Sequence, residues 1–289
     1  MADRDRYIPG VPCWVDAVHP DPQAAVVFYS GLFGWECEDT MPAGAPGHYF
    51  TGRIDGRAAA GLSSMPDGAP PVAVWNSYVW VDSADEATAT ANAAGATVIV
   101  EPLDVFDAGR MAMFADPEGA VLGVWQPNRH RGALAVNEHG AVNFNDLHTR
   151  DLERAKDFYG TVFGWETLEL GPGAAMWAMP AYGDFLEELN PGMRANMAAM
   201  GAPAGFENVV ASVVPIDPTD TETPAHWGVT FAVNDADVTA KQATELGGKV
   251  LAGPLDAPWV RMSVIEDPQG ATFVASQFVP ENKDLAATG

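Results

Sequence analysis

Asp146 and His148 stand two residues apart in the stretch Phe-Asn-Asp-Leu-His, residues 144–148. On an extended strand that spacing sends both side chains to one face. A carboxylate beside an imidazole can orient it and raise its pKa, which suits a general base. The same pair could instead be structural, bonded to loop backbone. His226, just before another strand-like run, is the third candidate for proton transfer. Asp16 precedes Asp146 by 130 residues in a matching context. A recurring carboxylate can bind a ligand, or it can bond neighbouring backbone in both places, since a buried charge must find partners. Arg110 and Arg261 recur too. Either guanidinium could clamp an enolate or carboxylate, or pair with the acids that recur beside it, Asp104 and Asp256. His19, His130 and His139 are expected in loops or a linker, facing solvent. Cys13 and Cys37 are too few for a disulfide framework and are not at metal-ligand spacing.

The elements that must position these residues are written in repeats. Trp14–Glu36 reads WVDAVHPDPQAAVVFYSGLFGWE, and Phe144–Glu166 reads FNDLHTRDLERAKDFYGTVFGWE, at a constant offset of 130. Val81–Asp104 recurs as Val233–Asp256 at an offset of 152. Asp116-Pro117-Glu118-Gly119 then meets Asp267-Pro268-Gln269-Gly270 at 151. Each half contains two units of one kind: a short strand, an acidic residue, an amphipathic helix ending at Gly, then more strands. Asp21 and Asp151 are placed as helix N-caps. Ala24, Phe28, Leu32 and Ala155, Phe158, Val162 give the helical apolar period. Gly34 and Gly164 end the helices, and Asp-Pro-x-Gly signals a hairpin turn. The pattern is β-α-β-β-β four times over, an α+β fold by tandem duplication. Residues 1–127 form the first expected domain, 128–140 a linker and 141–289 the second. The growth of the offset from 130 to 152 puts 22 additional residues within 167–226 of the second domain. Phe185–Met200 could form a short helix there, either a lid or partner contact or a decorated surface loop.

Composition narrows the function classes. The chain has 289 residues, is 47% hydrophobic and carries 39 Asp+Glu against 15 Lys+Arg, a net charge of −24. That balance argues against nucleic acid and anionic membranes, which demand basic surface. It suits a neutral or cationic small molecule, or simply solubility. No apolar run is long enough to span a bilayer, and the charged start MADRDRYIPG does not read as a signal peptide. A reducing cytoplasm is the expected compartment.

Ala-x-x-Phe-Tyr-x-x-x-Phe-Gly, at 25–34 and 155–164, together with Asp-Pro-x-Gly near the end of each second unit, resembles the vicinal oxygen chelate superfamily. This group includes glyoxalases, bleomycin-resistance proteins and extradiol dioxygenases. The resemblance spans roughly residues 10–280. It is strongest to two-domain actinobacterial glyoxalase-like proteins, some of them called hydroxylases. It implies four βαβββ modules forming two cupped mixed β-sheets with helices outside. It also implies a divalent metal in each cup, bound by His, Gln or Glu on first strands and Glu near last strands, acting as a Lewis acid on two adjacent substrate oxygens. The implied ligand positions fall on Trp14 and Phe144, on Asn76 and Gly228, and on Gly123 and Val274. No complete ligand set results, since a site needs about three protein ligands. Asp146, His148 and His226 are the one residual combination.

The implied cups would instead be lined, in the first half, by Trp14, Asp16, Asn76, Tyr78, Trp80 and Trp125. This is an aromatic pocket with one carboxylate and one amide. In the second half Phe144, Asp146 and His148 would face Thr230, Thr272 and Ser276, with Arg261 as a possible anion contact. Three functions follow. The first is an enzyme on an oxygenated, secondary-metabolite-like substrate, working by acid–base chemistry of isomerase, lyase or hydroxylase type. The second is a sequestering protein of the bleomycin-resistance kind. The third is a metal-dependent glyoxalase or dioxygenase, against which the missing ligands count. The expected partner is a small molecule, and the chain could be a monomer or a homodimer.

Overall fold

Each module begins with local signals that fix its helix. In the first, Asp21 is extended and its carboxylate accepts from the Ala24 amide, while Gly34 takes the left-handed conformation that stops the helix. In the third, Asp151 caps through the Arg154 amide and Gly164 repeats the stop. The computed structural model describes residues 7–171 and 174–285. Its first module is β1 (Pro12–His19), α1 (Pro22–Phe33), β2 (Glu36–Asp39), β3 (Tyr49–Ile54) and β4 (Arg57–Ser64). The second is β5 (Val74–Trp80), α2 (Ala84–Ala93), β6 (Thr97–Val105), β7 (Gly109–Ala115) and β8 (Val121–Pro127). The third is β9 (Val142–Thr149), α3 (Leu152–Phe163), β10 (Glu166–Gly171), β11 (Ala174–Ala178), α4 (Tyr182–Leu189), α5 (Met193–Met200) and β12 (Val209–Pro215). The fourth is β13 (His226–Ala232), α6 (Ala236–Glu245), β14 (Lys249–Ala257), β15 (Val260–Glu266) and β16 (Thr272–Phe278).

The strands form two eight-stranded sheets, in the orders β2-β3-β4-β1-β5-β8-β7-β6 and β10-β11-β12-β9-β13-β16-β15-β14. In every module the first strand runs parallel to the last and the remaining pairs are antiparallel. This is the α+β architecture of mixed sheets that the repeats predict. Sheets follow the two halves of the sequence, but contacts group the modules differently. One compact unit holds residues 1–14, 77–132 and 144–227; the other holds 15–76, 133–143 and 228–289. Each unit therefore joins one module from each half.

A repeated polar chain explains both family markers. In the unit containing the first and fourth modules, the Trp75 indole donates to the Tyr29 hydroxyl at 3.1 Å, and Tyr29 donates to Asp267 at 3.0 Å. In the other unit Trp227 donates to Tyr159 at 2.9 Å and Tyr159 to Asp116 at 2.8 Å. The Tyr of Phe-Tyr thus meets the Asp of Asp-Pro-x-Gly inside a core, and the second Asp116 oxygen accepts from the amides of Glu118, Gly119 and Ala120. Burial pushes both tyrosine hydroxyls well above their ordinary pKa, and the adjacent carboxylates add to it.

Two expectations need correction. His19 does not face solvent: it is fully buried and its Nε2 lies 2.7 Å from Asp267. Its strand continues to position 19 and delivers the ring to the same carboxylate that Tyr29 uses, where the third module has Thr149. The insertion holds two short helices rather than one, because Pro191-Gly192 breaks the run and Gly192 adopts a φ of 89°.

Candidate functional site

β9 carries the sequence-predicted pair. Asp146 is buried and stands in register with Ser212 on β12, whose hydroxyl donates to the Asp146 carboxylate. His148, opposite Val214, lies against His226 at the start of β13. The two imidazoles are stacked with centroids 4.2 Å apart and planes 11° from parallel. The His226 Nδ1 faces the Pro224 carbonyl at 2.9 Å. A carbonyl only accepts, so Nδ1 carries a proton, and in the neutral ring Nε2 is the nitrogen with the lone pair. Among the described residues no hydrogen bond reaches a ring nitrogen of His148.

The expected electrostatics reverse here. Burial, with a further contribution from His226, lowers the His148 pKa to about 4. Asp146 does not raise it, for a geometric reason. No hydrogen bond joins the two side chains, and the Asp146 carboxylate is engaged by Ser212. Asp146, His148 and His226 do share one unit; Asp146 and His148 simply do not form a dyad.

The aromatic residues predicted to line a pocket in the first half mostly pack on one another. Trp14 meets His130 edge-on at 4.3 Å, His130 meets Trp125 at 5.5 Å, and the Trp125 indole donates to the His130 carbonyl. His130 is thus an intermediate-burial ring filling an aromatic cluster, not a solvated linker residue. Trp80 packs near Tyr7 and under the Arg131 guanidinium. Tyr78 stands in register with Gly123, and a Cβ at Gly123 would come within 2.2 Å of the Tyr78 ring. That position is glycine because the tyrosine ring occupies the space.

In the other unit, Asp16 accepts from Tyr49 at 3.2 Å and from Asn76 at 3.1 Å. Gly61 lies in register with Asp16, and a side chain there would strike the Tyr49 hydroxyl. Thr230 is buried in register with Val274. Arg261 is held by two carboxylates, Asp237 at 2.6 Å and Asp256 at 3.1 Å, as Arg110 is by Asp85 and Asp104. The recurring arginines staple a helix start to a hairpin. Phe144, half-buried, precedes Asp146 on β9. Sequence reasoning missed Tyr49 and Ser212. Only strand register brings either to its aspartate.

The residues do not fit a metal. Among the described residues no group of three or more His, Cys, Asp or Glu is placed to hold one. Asp146 is bonded to Ser212, the histidines stack rather than converge, and the glutamate position of the first half is filled by the Tyr78 ring over Gly123. No step is therefore derived through a metal.

The Glyoxalase/Bleomycin resistance protein/Dioxygenase superfamily model matches residues 14–124 and 141–274. A Mycobacterium bovis protein named "Putative glyoxylase CFP32" is 37% identical over 286 residues, covering 97% of this chain and all of the relative. The anthracycline biosynthesis protein DnrV of Streptomyces peucetius is 33% identical over 281 residues, covering 93% of each. Among solved structures, the Mn(II)-bound glyoxalase from Novosphingobium aromaticivorans aligns with a TM-score of 0.58 at 16% identity, over 96% of this chain and 83% of that one. The 2,3-dioxygenase LapB from Pseudomonas sp. KL28 aligns with a TM-score of 0.58 at 12% identity, over 94% and 93%. At such identities the structural likeness concerns the fold.

Proposed function

Because the chain belongs to the glyoxalase/bleomycin resistance protein/dioxygenase superfamily, we propose that it is a small-molecule enzyme moving a proton on an oxygenated secondary metabolite. Its working groups are His148, His226 and Asp146 rather than a metal-ligand triad. The observation that carries this reading is the imidazole pair: two parallel rings with ring nitrogens left for a ligand, and a His226 tautomer fixed by Pro224. In this reading the His226 Nε2 accepts the proton. His148, neutral at pH 7, accepts a hydrogen bond from a substrate hydroxyl. Asp146, held by Ser212, receives a second hydroxyl. An imidazole base suits acidic protons, such as phenols conjugated to a carbonyl or carbons between two carbonyls. The names of the anthracycline biosynthesis relatives support a hydroxylated aromatic substrate. Isomerisation and elimination can both begin with such a proton transfer, whereas hydroxylation would need an oxidant such as O2 as co-reactant as well. Both cysteines are free thiols, which suits a reducing compartment such as the cytoplasm.

A second reading is sequestration without turnover. The poor fit of a metal to the site favours it, since the superfamily includes resistance proteins. Incubating the protein with a panel of hydroxylated anthraquinones, after dialysis against a chelator, separates the two. We expect product by mass spectrometry, and a loss of at least about 100-fold in rate in His226→Ala. Binding with no product would favour sequestration. Full activity in both His148→Ala and His226→Ala would overturn the acid–base assignment, and activity lost to the chelator would restore a metal-dependent one.

A further inference from the structure

Strand register extends the site beyond the histidine pair. Asp146 on β9 stands beside Ser212 on β12, Ser212 beside Met176 on β11, and Met176 beside Leu168 on β10. Directly paired residues put their side chains on one face of a sheet, so the four form a single row. The opposite face agrees with this parity: Leu147, Ala211 and Trp177, each next to a member of the row on its own strand, are fully buried. A second row runs beside the first, in which His148 pairs with Val214. Val214 is 37% exposed, and Met176 and Leu168 are half-buried. Gly205, between α5 and β12, closes the outer end of the first row, where a Cβ would come within 3.3 Å of the Leu168 Cδ1. With neighbouring strands about 4.8 Å apart, the row from Asp146 to Leu168 is about 14 Å long.

The first module writes the same rows in other residues. Asp16 stands beside Gly61, Gly61 beside Thr51 and Thr51 beside Glu38, and the second row is Val18, Ser63 and Tyr49. Polar and acidic side chains thus follow the aspartate where there is no histidine. Methionine and leucine follow it, with valine alongside, where there is one. The aspartate is common to both modules; the histidine and the apolar strip differ together. A hydroxyl held at Asp146 fixes one end of a ligand, and the ring that bears it reaches Ser212. Only a fused ring system continues over Met176 and Leu168. A thioether makes favourable contacts with an aromatic ring, and its unbranched chain adapts to the ring's position. We propose that Met176 and Leu168, with Val214 beside His148, are the specificity strip of this site. The strip selects fused-ring phenols over single-ring ones, seating the hydroxyl at Asp146 and the far rings over Met176. This rests on the reading of that site given above.

Alizarin, a dihydroxyanthraquinone, and salicylamide, a single ring, serve as probes, each with a phenol beside a carbonyl. Full-length protein labelled with carbon-13 at its methionine methyls reports contact directly, the Met176 signal being the one lost in Met176→Leu. That signal should move upfield under the ring current of bound alizarin and stay in place with salicylamide. Met176→Thr/Leu168→Glu, which borrows the residues of the first module, should weaken alizarin at least about tenfold through lost apolar contact and leave salicylamide within about twofold. Met176→Leu, which keeps the apolar surface, should hold alizarin within about threefold. Where the double variant does not fold, the native methyl signal decides. A Met176 methyl unmoved by bound alizarin, or alizarin bound no more tightly than salicylamide, overturns the strip; the site reading then stands if His148→Ala or His226→Ala weakens alizarin. If alizarin fails to bind, or binds both histidine variants as it binds the native protein, the site reading falls and the strip with it.

Discussion

An imidazole with a pKa near 4 is uncharged throughout the physiological range, so His148 enters any reaction as a neutral acceptor. The cause is local: burial removes the water that would solvate an imidazolium, and a second imidazole lies against its face. This has a consequence for stability. The folded-state pKa lies below the ordinary value of 6.5, so between about pH 6.5 and 4 the unfolded chain binds a proton that the folded chain refuses. The contribution of His148 is complete above pH 6.5 and is lost as pH falls towards 4, up to about 3 kcal/mol. Urea unfolding at pH 7 and pH 4.5 should show the native protein losing more stability than His148→Gln. Parallel losses in the two proteins would contradict the assignment. Asp146 was legible in the sequence as a buried carboxylate; its partner was not. Ser212 is 66 positions away, and nothing in its neighbours marks it.

At the scale of elements, the Trp–Tyr–Asp chains carry the clearest asymmetry. Asp267 keeps His19 if Tyr29 is removed, whereas among the described residues no second side chain bonds the Asp116 oxygen that takes Tyr159. Leaving a buried acceptor unsatisfied costs about 1–3 kcal/mol. Tyr159→Phe should therefore destabilise by more than Tyr29→Phe in denaturant melts; equal costs would mean that His19 does not share the load. The β5–β8 pair offers a second test, because the repeats solve the same packing problem in opposite ways: Tyr78 over Gly123, Thr230 beside Val274. Gly123→Val alone overpacks against the tyrosine ring, at about 1–3 kcal/mol. Tyr78→Thr alone opens a cavity. The double variant should recover at least about 1 kcal/mol relative to the sum of the two. Strict additivity in that cycle would show that the ring is not what excludes a side chain at 123.

For the whole molecule, the separation between sheet membership and compact units has a direct consequence. Each sheet is built from one half of the sequence, yet each unit draws a module from both halves. Residues 15–76 share a buried aromatic core with residues 228–289, in which Phe33 packs at 5.1 Å from Phe231 and 5.8 Å from Phe273. Expressed alone, residues 141–289 would expose those surfaces. We expect that fragment to self-associate or to unfold, and to gain native-like circular dichroism when mixed with residues 1–140. A fragment that is monomeric, folded and cooperative by analytical ultracentrifugation and thermal melting would show each half to be self-sufficient.

Outside the insertion, the type and order of the elements in the four modules were determined by the sequence alone. Caps, stop glycines and apolar periods act within a few residues, and they recur at offsets of 130 and 152 wherever the element recurs. Which residue types stand at the positions the resemblance implies, Trp14, Phe144, Asn76, Gly228, Gly123 and Val274, was equally readable, because identity at a position is a property of the sequence. Tertiary structure alone decided which modules pack together, since Tyr29 and Asp267 are 238 residues apart and their chemistry is ordinary until they meet. It also decided that His19 is buried, that Asp146 answers to Ser212, and that His148 lies on His226 with its pKa lowered rather than raised. Side-chain direction along a strand is a local property. The partner that waits in that direction is set by strand register and by the packing of distant modules, and that partner fixes the protonation state.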